Sequence, residues 1–301
     1  MIPCQIGASI RQTLMGAPFL FKLRRRITLK NRIKGIFLIF ITTLSLFILA
    51  GCGNNQAGTT VKVGITGSND PALQKVAQIV KKEGINIKVV EFSDYSQPNT
   101  ALAQGEIDMN DFQTYTFQSD WNKKHKTDIV TLGQTVVAPM SLFSKKITNL
   151  NQLKKGDKIA IPNDVTNEGR ALQLLESAGL IKLDNSKIPS LRDIKENKIG
   201  LKISSLDAGQ TAKSLDDVTA ACVNSGVASD AKLDPKNAVY REKITAKSKP
   251  YVNILSANAK DKNNKTFKKI VKAYHTKEVA EVVRKEFHGY EMPAWEYKIL
   301  Q

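Results

Sequence analysis

The side chain with the clearest chemistry in this sequence is Arg170, which closes the run Asn163-Asp164-Val165-Thr166-Asn167-Glu168-Gly169-Arg170. Thr166 or Asn167 is placed to cap a helix running through Leu180, with Leu172, Leu174, Leu175 and Ala178 at helical spacing. Arg170 then falls in the first turn, where a planar guanidinium sits beside the positive end of a helix dipole and can receive a carboxylate. Asn163 and Asn167 offer donor and acceptor beside it, although turn formation and capping account for them as well. Constellations for catalysis are missing. His125, His275 and His288 are scattered, and the chain has no G-x-S-x-G elbow, H-E-x-x-H pair, P-loop or G-x-G-x-x-G turn. The histidines read as surface or cap residues, and Cys222, inside an apolar run, reads as core. Cys4, Cys52 and Cys222 are too far apart for a Cys-x-x-Cys site, so neither a disulfide framework nor bound metal is expected. The chain is expected to be no enzyme and to use no cofactor.

The elements that must hold these residues alternate between the two periods. Thr60–Ile65 alternates as a strand, Asp70–Lys82 repeats apolar residues at helical spacing, and Ile85–Phe92 is again a strand, which makes a βαβ unit. Asn99–Gln104 is expected as a short helix, Ile107–Met109 as a short strand, Phe112–Lys124 as a helix and Val130–Val137 as a strand entering Pro139. A second set begins near Leu150, with strands at Lys158–Ile161, Gly200–Ile203, Ala220–Val223 and Val239–Tyr240. Tyr251–Ala257 is another strand, and the helices Lys265–Tyr274 and Lys277–Phe287 end the chain. With no internal repeat, this is an α/β chain of two lobes, mainly parallel in its strands, with two crossings between them.

Charge separates a leader from the rest. The chain has 301 residues and a formal charge of +17. Eight cations and no acidic residue fall in residues 1–51, so about half the excess belongs to the first sixth. The uncharged run Ile36–Leu49 follows, which is the order of an export signal. As a helix it spans about 20 Å, short of a hydrocarbon core of about 30 Å. Leu49-Ala50-Gly51-Cys52 resembles a bacterial lipobox, which implies cleavage before Cys52 and lipidation of its thiol. Residues 1–51 are therefore expected to be removed, with 52–59 a flexible tether. The protein is expected on the extracytoplasmic side of the cell membrane, held by its lipid. The remaining cations are spread in pairs such as Lys81-Lys82 and Lys268-Lys269 without aromatic interleaving, so nucleic acid is not an expected partner.

The segment Phe92–Gln113, FSDYSQPNTALAQGEIDMNDFQ, resembles the NlpA/MetQ lipoproteins. The resemblance continues through Ser144-Lys145-Lys146, the Arg170 region 161–183, Ser214–Asp217 and Pro250-Tyr251-Val252-Asn253. It implies a periplasmic-binding-protein fold, with lobe one at 60–139 plus 253–301, lobe two at 140–252, and a two-strand hinge near Pro139 and Pro250. It implies a substrate-binding lipoprotein that hands an amino acid, foremost L-methionine, to an ABC permease with its ATPase subunit. In the cleft it assigns the carboxylate to Arg170, an aromatic wall to Tyr95, Phe112 and Tyr115, and polar contacts to Asn224 and Asn253. Loss of Arg170 is expected to abolish binding while leaving the fold intact. Two departures bear on the ligand: Thr114 stands where a histidine is common, and Ala138 where an aromatic residue often precedes the crossing proline. The alternatives are another small amino acid, a methionine-containing dipeptide, or an adhesin-like surface lipoprotein.

Overall fold

The computed structural model describes residues 58–68 and 70–301, so the readings of a leader, of lipidation at Cys52 and of a tether up to residue 57 lie outside the described residues. β1 (Thr59–Thr66), α1 (Pro71–Lys81) and β2 (Ile85–Phe92) make the expected βαβ unit, with β1 and β2 parallel from Thr59↔Ile85 to Thr66↔Phe92. Asp70 caps α1 by accepting the Leu73 amide at 2.9 Å, and Pro71 supplies the preset φ of a first helical residue. The helix buries Ala72, Leu73, Val76 and Val80, the apolar positions that its spacing marks. α2 (Gln97–Gln104), β3 (Met109–Thr114), α3 (Tyr115–His125) and β4 (Ile129–Val137) complete the first run.

Only Ala138, Pro139 and Met140 separate β4 from β5 (Ser141–Phe143), a strand of a different sheet. Then come β6 (Lys158–Pro162), α4 (Val165–Ser177), the small hairpin of β7 (Lys182–Leu183) and β8 (Ile194–Glu196), and β9 (Lys202–Leu206). β10 (Ala220–Val223), α5 (Ser225–Asp230) and β11 (Tyr240–Arg241) finish the second lobe. The chain returns through a 3-10 segment containing Pro250 into β12 (Val252–Asn258), then α6 (Lys265–Tyr274), α7 (Lys277–Glu286) and β13 (Met292–Pro293).

The first sheet has the order β13-β4-β12-β3-β1-β2 and the second β11-β5-β10-β6-β9. Parallel pairing is confined to β1 with β2 and β3, and to β6 with β9 and β10. The expectation of mainly parallel strands is thus corrected. The returning β12 inserts between β3 and β4 and runs antiparallel to both, and β5 and β11 add antiparallel pairs to the second sheet. A strand entering directly from the neighbouring lobe has no crossover helix to set its direction, so parallel pairing is not imposed on it.

Each sheet carries its own apolar core. Val63, Leu73, Val76, Leu255, Ile270 and Val279 pack together in the first lobe, and Leu142, Ile159, Ile161, Leu172, Leu175 and Cys222 in the second. Each such side chain, fully buried, contributes about 1.5–3 kcal/mol. Cys222 is buried, and burial pushes its thiol up, away from nucleophile chemistry. Behind the motif at 98–113 is a closed amide network. Asn99 Nδ2 donates to Gln113 Oε1 at 2.8 Å, and Asn110 Nδ2 and Gln113 Nε2 both donate to Asn99 Oδ1 at 2.9 Å. All three amides are buried, so this network locks α2 against β3 and fixes where Phe112 points. Among the described residues no helix is long and apolar enough to cross a membrane.

Candidate functional site

The two lobes face each other across an inner cavity of about 110 Å³ that opens beside Tyr95 and Phe117 into an outer cleft of about 920 Å³. Arg170, Asn167 and Asn224 reach the inner cavity from the second lobe, and Tyr95, Phe112 and Asn253 from the first. Asn163 is exposed and lines only the outer cleft. Tyr115 lies elsewhere. It packs against Val137, Val252, Ala294 and Leu300 and borders a separate surface hollow with Lys249 and Pro250.

The displacement of Tyr115 has a local cause. β3 continues to Thr114 because Asp111 and Thr114 pair with Leu255 and Asn253 of β12, so Phe112 belongs to a strand and not to the expected helix. The Thr114 hydroxyl then caps α3 by accepting the Phe117 amide at 3.2 Å. With the helix starting at Tyr115, Phe117 lies two positions on, roughly 200° around the axis at 3.6 residues per turn, and turns toward the cleft. The aromatic wall is therefore Tyr95, Phe112 and Phe117. Their ring centroids are 6.1 Å, 6.2 Å and 5.6 Å apart, with two of the three pairs edge to face. Burial, followed by Asp164 and Asp230, pushes the Tyr95 phenol up, so it stays a neutral donor in the wall.

Arg170 is not in the first turn of its helix. Asp164, rather than Thr166 or Asn167, is the cap of α4, accepting the Asn167 amide at 3.0 Å, and the helix ends at Ser177 instead of Leu180. Thr166 supports the cap through its hydroxyl, which donates to Asp164 Oδ1 at 3.1 Å. What holds the guanidinium is Glu242. Arg170 Nε lies 3.2 Å from both Glu242 oxygens, and Nη2 donates to Glu242 Oε2 at 2.5 Å and to the Ala138 carbonyl at 2.9 Å. Glu242 Oε2 also accepts the Met140 amide at 3.0 Å. Tyr251 lies under the guanidinium, 4.6 Å from its ring centroid, and donates its own hydroxyl to Gln173 Oε1 at 3.0 Å. Arg170 thus ties α4 to both crossings, and Nη1 makes no hydrogen bond among the described residues, leaving one edge of the fork for an anion. Sequence gave no signal for Glu242, because 72 residues separate it from its partner.

The asparagines form a directed relay. Asn167 Nδ2 donates to both Asp164 oxygens at 3.0 Å, which turns its own Oδ1 toward Asn224 Nδ2 at 2.8 Å. Asn224 lines the cavity, and its Oδ1 is enclosed with no hydrogen-bond partner among the described residues. Ser225, at the start of α5, donates to the Pro139 carbonyl at 2.7 Å and seats this corner on the first crossing. Ala138 lines the inner cavity where a larger side chain would narrow it. Among the described residues no three His, Cys, Asp or Glu side chains are arranged to hold a metal ion.

Comparison with known proteins gives the same outline. The NlpA lipoprotein family profile matches residues 61–295. The D-methionine-binding lipoprotein MetQ of Salmonella typhi is 40% identical over 255 residues, 82% of this chain and 93% of that protein. The substrate binding protein of a methionine transporter from Streptococcus pneumoniae superposes with a TM-score of 0.75 at 41% identity, covering 78% of this chain and 96% of that one. A nutrient binding protein from Burkholderia cenocepacia, solved bound to methionine, gives 0.74 at 41% identity, over 78% and 99% of the two chains.

Proposed function

The chain belongs to the NlpA lipoprotein family, and from that membership and its cleft we propose that it is the extracytoplasmic substrate-binding lipoprotein of a methionine-type ABC importer. It captures L-methionine between its lobes, closes by a hinge at the two crossings near Pro139 and Pro250, and delivers the amino acid to a permease served by an ATPase subunit. The observation that carries this reading is the meeting, in one inner cavity, of a guanidinium edge, a buried amide acceptor and an aromatic wall, drawn from both lobes.

The roles follow from chemistry. The free edge of Arg170 receives the carboxylate. Asn224 offers its Oδ1 to the ammonium, and Asn253, on the second crossing, adds a donor and acceptor from the other wall. Tyr95, Phe112 and Phe117 receive the thioether, with sulfur–aromatic contacts of about 0.3–1.5 kcal/mol. Asn163 acts at the rim of the outer cleft, and Asn167 orients Asn224. Tyr115 supports the hinge side of the first lobe. The lobes divide as 60–139 plus 253–301 and 140–252, and Cys52 carries the acyl chains that keep the protein on the membrane.

The test is a thermal-shift screen after unfolding and refolding to remove copurified ligand. The twenty L-amino acids, D-methionine and methionine-containing dipeptides are added in turn. A ligand at a hundredfold excess over its dissociation constant adds about 2.7 kcal/mol. Methionine is expected to give the largest shift. A refolded protein that responds to none of these compounds refutes the reading. Cys52→Ser is expected to release the protein from membranes in cell fractionation without changing the ligand shift, and continued membrane association refutes the lipid anchor.

A further inference from the structure

Near its C-terminus the chain makes a short excursion between the lobes, apart from the two crossings. Phe287, the C-cap of α7, packs against the first-lobe core, and Met292 of β13 pairs with Val137 of β4 in the first sheet. Between them, Tyr290 is 8% exposed and packs with Phe143, Ala160, Leu215, Val223 and Ala228, all of the second lobe. Its hydroxyl donates to the Leu233 carbonyl, and Arg241 Nη2 donates to the Gly289 carbonyl, so second-lobe residues hold both the side chain and the backbone of the excursion. The turn that sends the ring across has His288 at φ +47° and Gly289 at φ +88°, two successive left-handed residues. It is closed by the Tyr290 amide, which donates to the Phe287 carbonyl at 2.7 Å. Phe287 and Glu291, the two ends of the excursion, line the inner cavity.

From this geometry we propose that residues 287–291 are a third link of the hinge, with Tyr290 as the positioning residue that confines lobe movement to one bending axis. Val137 marks the level at which all three links leave the first sheet. Val252 of β12 pairs with it on one side and Met292 of β13 on the other, and β4 itself ends there on its way to the second lobe. Neighbouring strands lie about 4.8 Å apart, so the three links stand in a row about 10 Å wide. Two links about 5 Å apart oppose a twist of one lobe on the other only weakly, because the lever between them is short. A third link at the end of the row doubles that lever and leaves bending about the row free. Tyr290 lies two residues from Met292, about 7 Å of fully extended chain, and cannot leave its seat without exposing its ring and losing the Leu233 hydrogen bond. Its role in capture rests on the amino-acid-binding reading. That site takes Arg170 and Asn224 from one lobe and Tyr95, Phe112 and Asn253 from the other, and a twist puts the two sets out of register. The apparent dissociation constant rises in inverse proportion to the fraction of molecules that hold them in register.

The experiment uses the full chain in detergent as wild type, Tyr290→Ala, Tyr290→Phe and a form with two glycines inserted after Gly289, which lengthens the link and keeps every side chain. Nitroxides on Lys124→Cys and Lys213→Cys, exposed residues on the two rims of the outer cleft, report the distance between lobes by double electron–electron resonance. Each chain without those two cysteines is the labelling blank. The ligand-free distance distribution is expected to broaden in Tyr290→Ala and in the insertion, and to stay near wild type in Tyr290→Phe, which keeps the ring. With L-methionine bound, all four forms are expected to share one narrow distribution. Titration and stopped-flow mixing are expected to show a dissociation constant raised about 3- to 10-fold in the two loosened forms, carried by the on-rate, as a competent fraction of about one third to one tenth requires. A wild-type distribution in both loosened forms overturns the third link. Broadening in Tyr290→Ala but not in the insertion also overturns it, since the ring then acts only as packing of the second lobe. A bound-state distribution that departs from wild type overturns it for the same reason. A wild type that binds no methionine overturns the importer reading alone, and the ligand-free distributions still decide the link.

Discussion

Replacing Arg170 by methionine is expected to damage the protein in two separable ways. The Arg170 side chain is 4% exposed and that of Glu242 19%, so removing the guanidinium strands a mostly buried carboxylate whose one remaining hydrogen bond is from the Met140 amide. Breaking one side of such a pair costs about 3–5 kcal/mol. The exposure of Glu242 sets the lower end, about 3 kcal/mol, and the loss of the donor to Ala138 adds about 1 kcal/mol. A total of about 4 kcal/mol corresponds to a fall of roughly 8–16 °C in melting temperature for a chain of this size. The expectation that this arginine can be removed without touching the fold is therefore corrected. Binding falls independently, by about 10²- to 10³-fold, as the ligand carboxylate loses two charge-assisted hydrogen bonds. The double variant Arg170→Met/Glu242→Leu separates the effects, since an apolar pair of similar volume restores most of the stability but has no group for a carboxylate. Scanning calorimetry and ligand titration on the three proteins make the check. Wild-type affinity in either Arg170 variant refutes the receptor role, and an unchanged melting temperature in the single variant refutes the ion pair as a brace of the crossings.

Three further outcomes follow from the same geometry. Asp70 is pushed up to about 6 and Asp111 and Glu291 also lie above the usual carboxylate range, so the native state holds these protons more tightly than the unfolded chain. Stability from this source is present at low pH and is lost as pH rises through about 6, by up to about 3 kcal/mol for Asp70 alone at 1.36 kcal/mol per unit. Asp70→Asn keeps a capping side chain, and it is expected to raise the melting temperature at pH 7.5 and flatten its dependence between pH 5 and 7.5; an unchanged profile refutes the shift. Gly67 has φ +88°, and a Cβ placed there would lie 2.7 Å from Asp230 Oδ2. Gly67→Ala is expected to cost about 1–2 kcal/mol of stability from its backbone and to weaken ligand binding several-fold by propping the lobes apart. Adding Asp230→Ala should recover the affinity but not the stability, and an affinity that stays low places the effect elsewhere. Phe117→Ala is expected to weaken methionine binding about tenfold or more, whereas Tyr115→Ala lowers the melting temperature with affinity within about threefold, as a core truncation does. The opposite ranking in titration refutes the aromatic assignment.

What was readable in the sequence was local. Apolar spacing marked α1, β2, β10 and α6 within a residue or so of their observed limits, because a helix or strand face is written every 3.6 or 2 residues in the segment itself. The motif at 92–113 carried the resemblance to the family, and its Asn99, Asn110 and Gln113 prove to be a buried brace for the strand that presents Phe112. Tertiary structure decided the remainder. β3 outran its local pattern because β12 pairs beside it, and that extension moved the start of α3 and exchanged Tyr115 for Phe117 in the wall. Arg170 was legible as an anion receptor, but its brace Glu242 was not, since no periodicity links groups 72 residues apart. The acidic set at Asp70, Asp111 and Glu291 comes from a helix cap, a strand and a C-terminal connection. Each is ordinary in its own segment, and only the packing of those elements brings like charges into one cavity, where burial gives them a chemistry that none has alone.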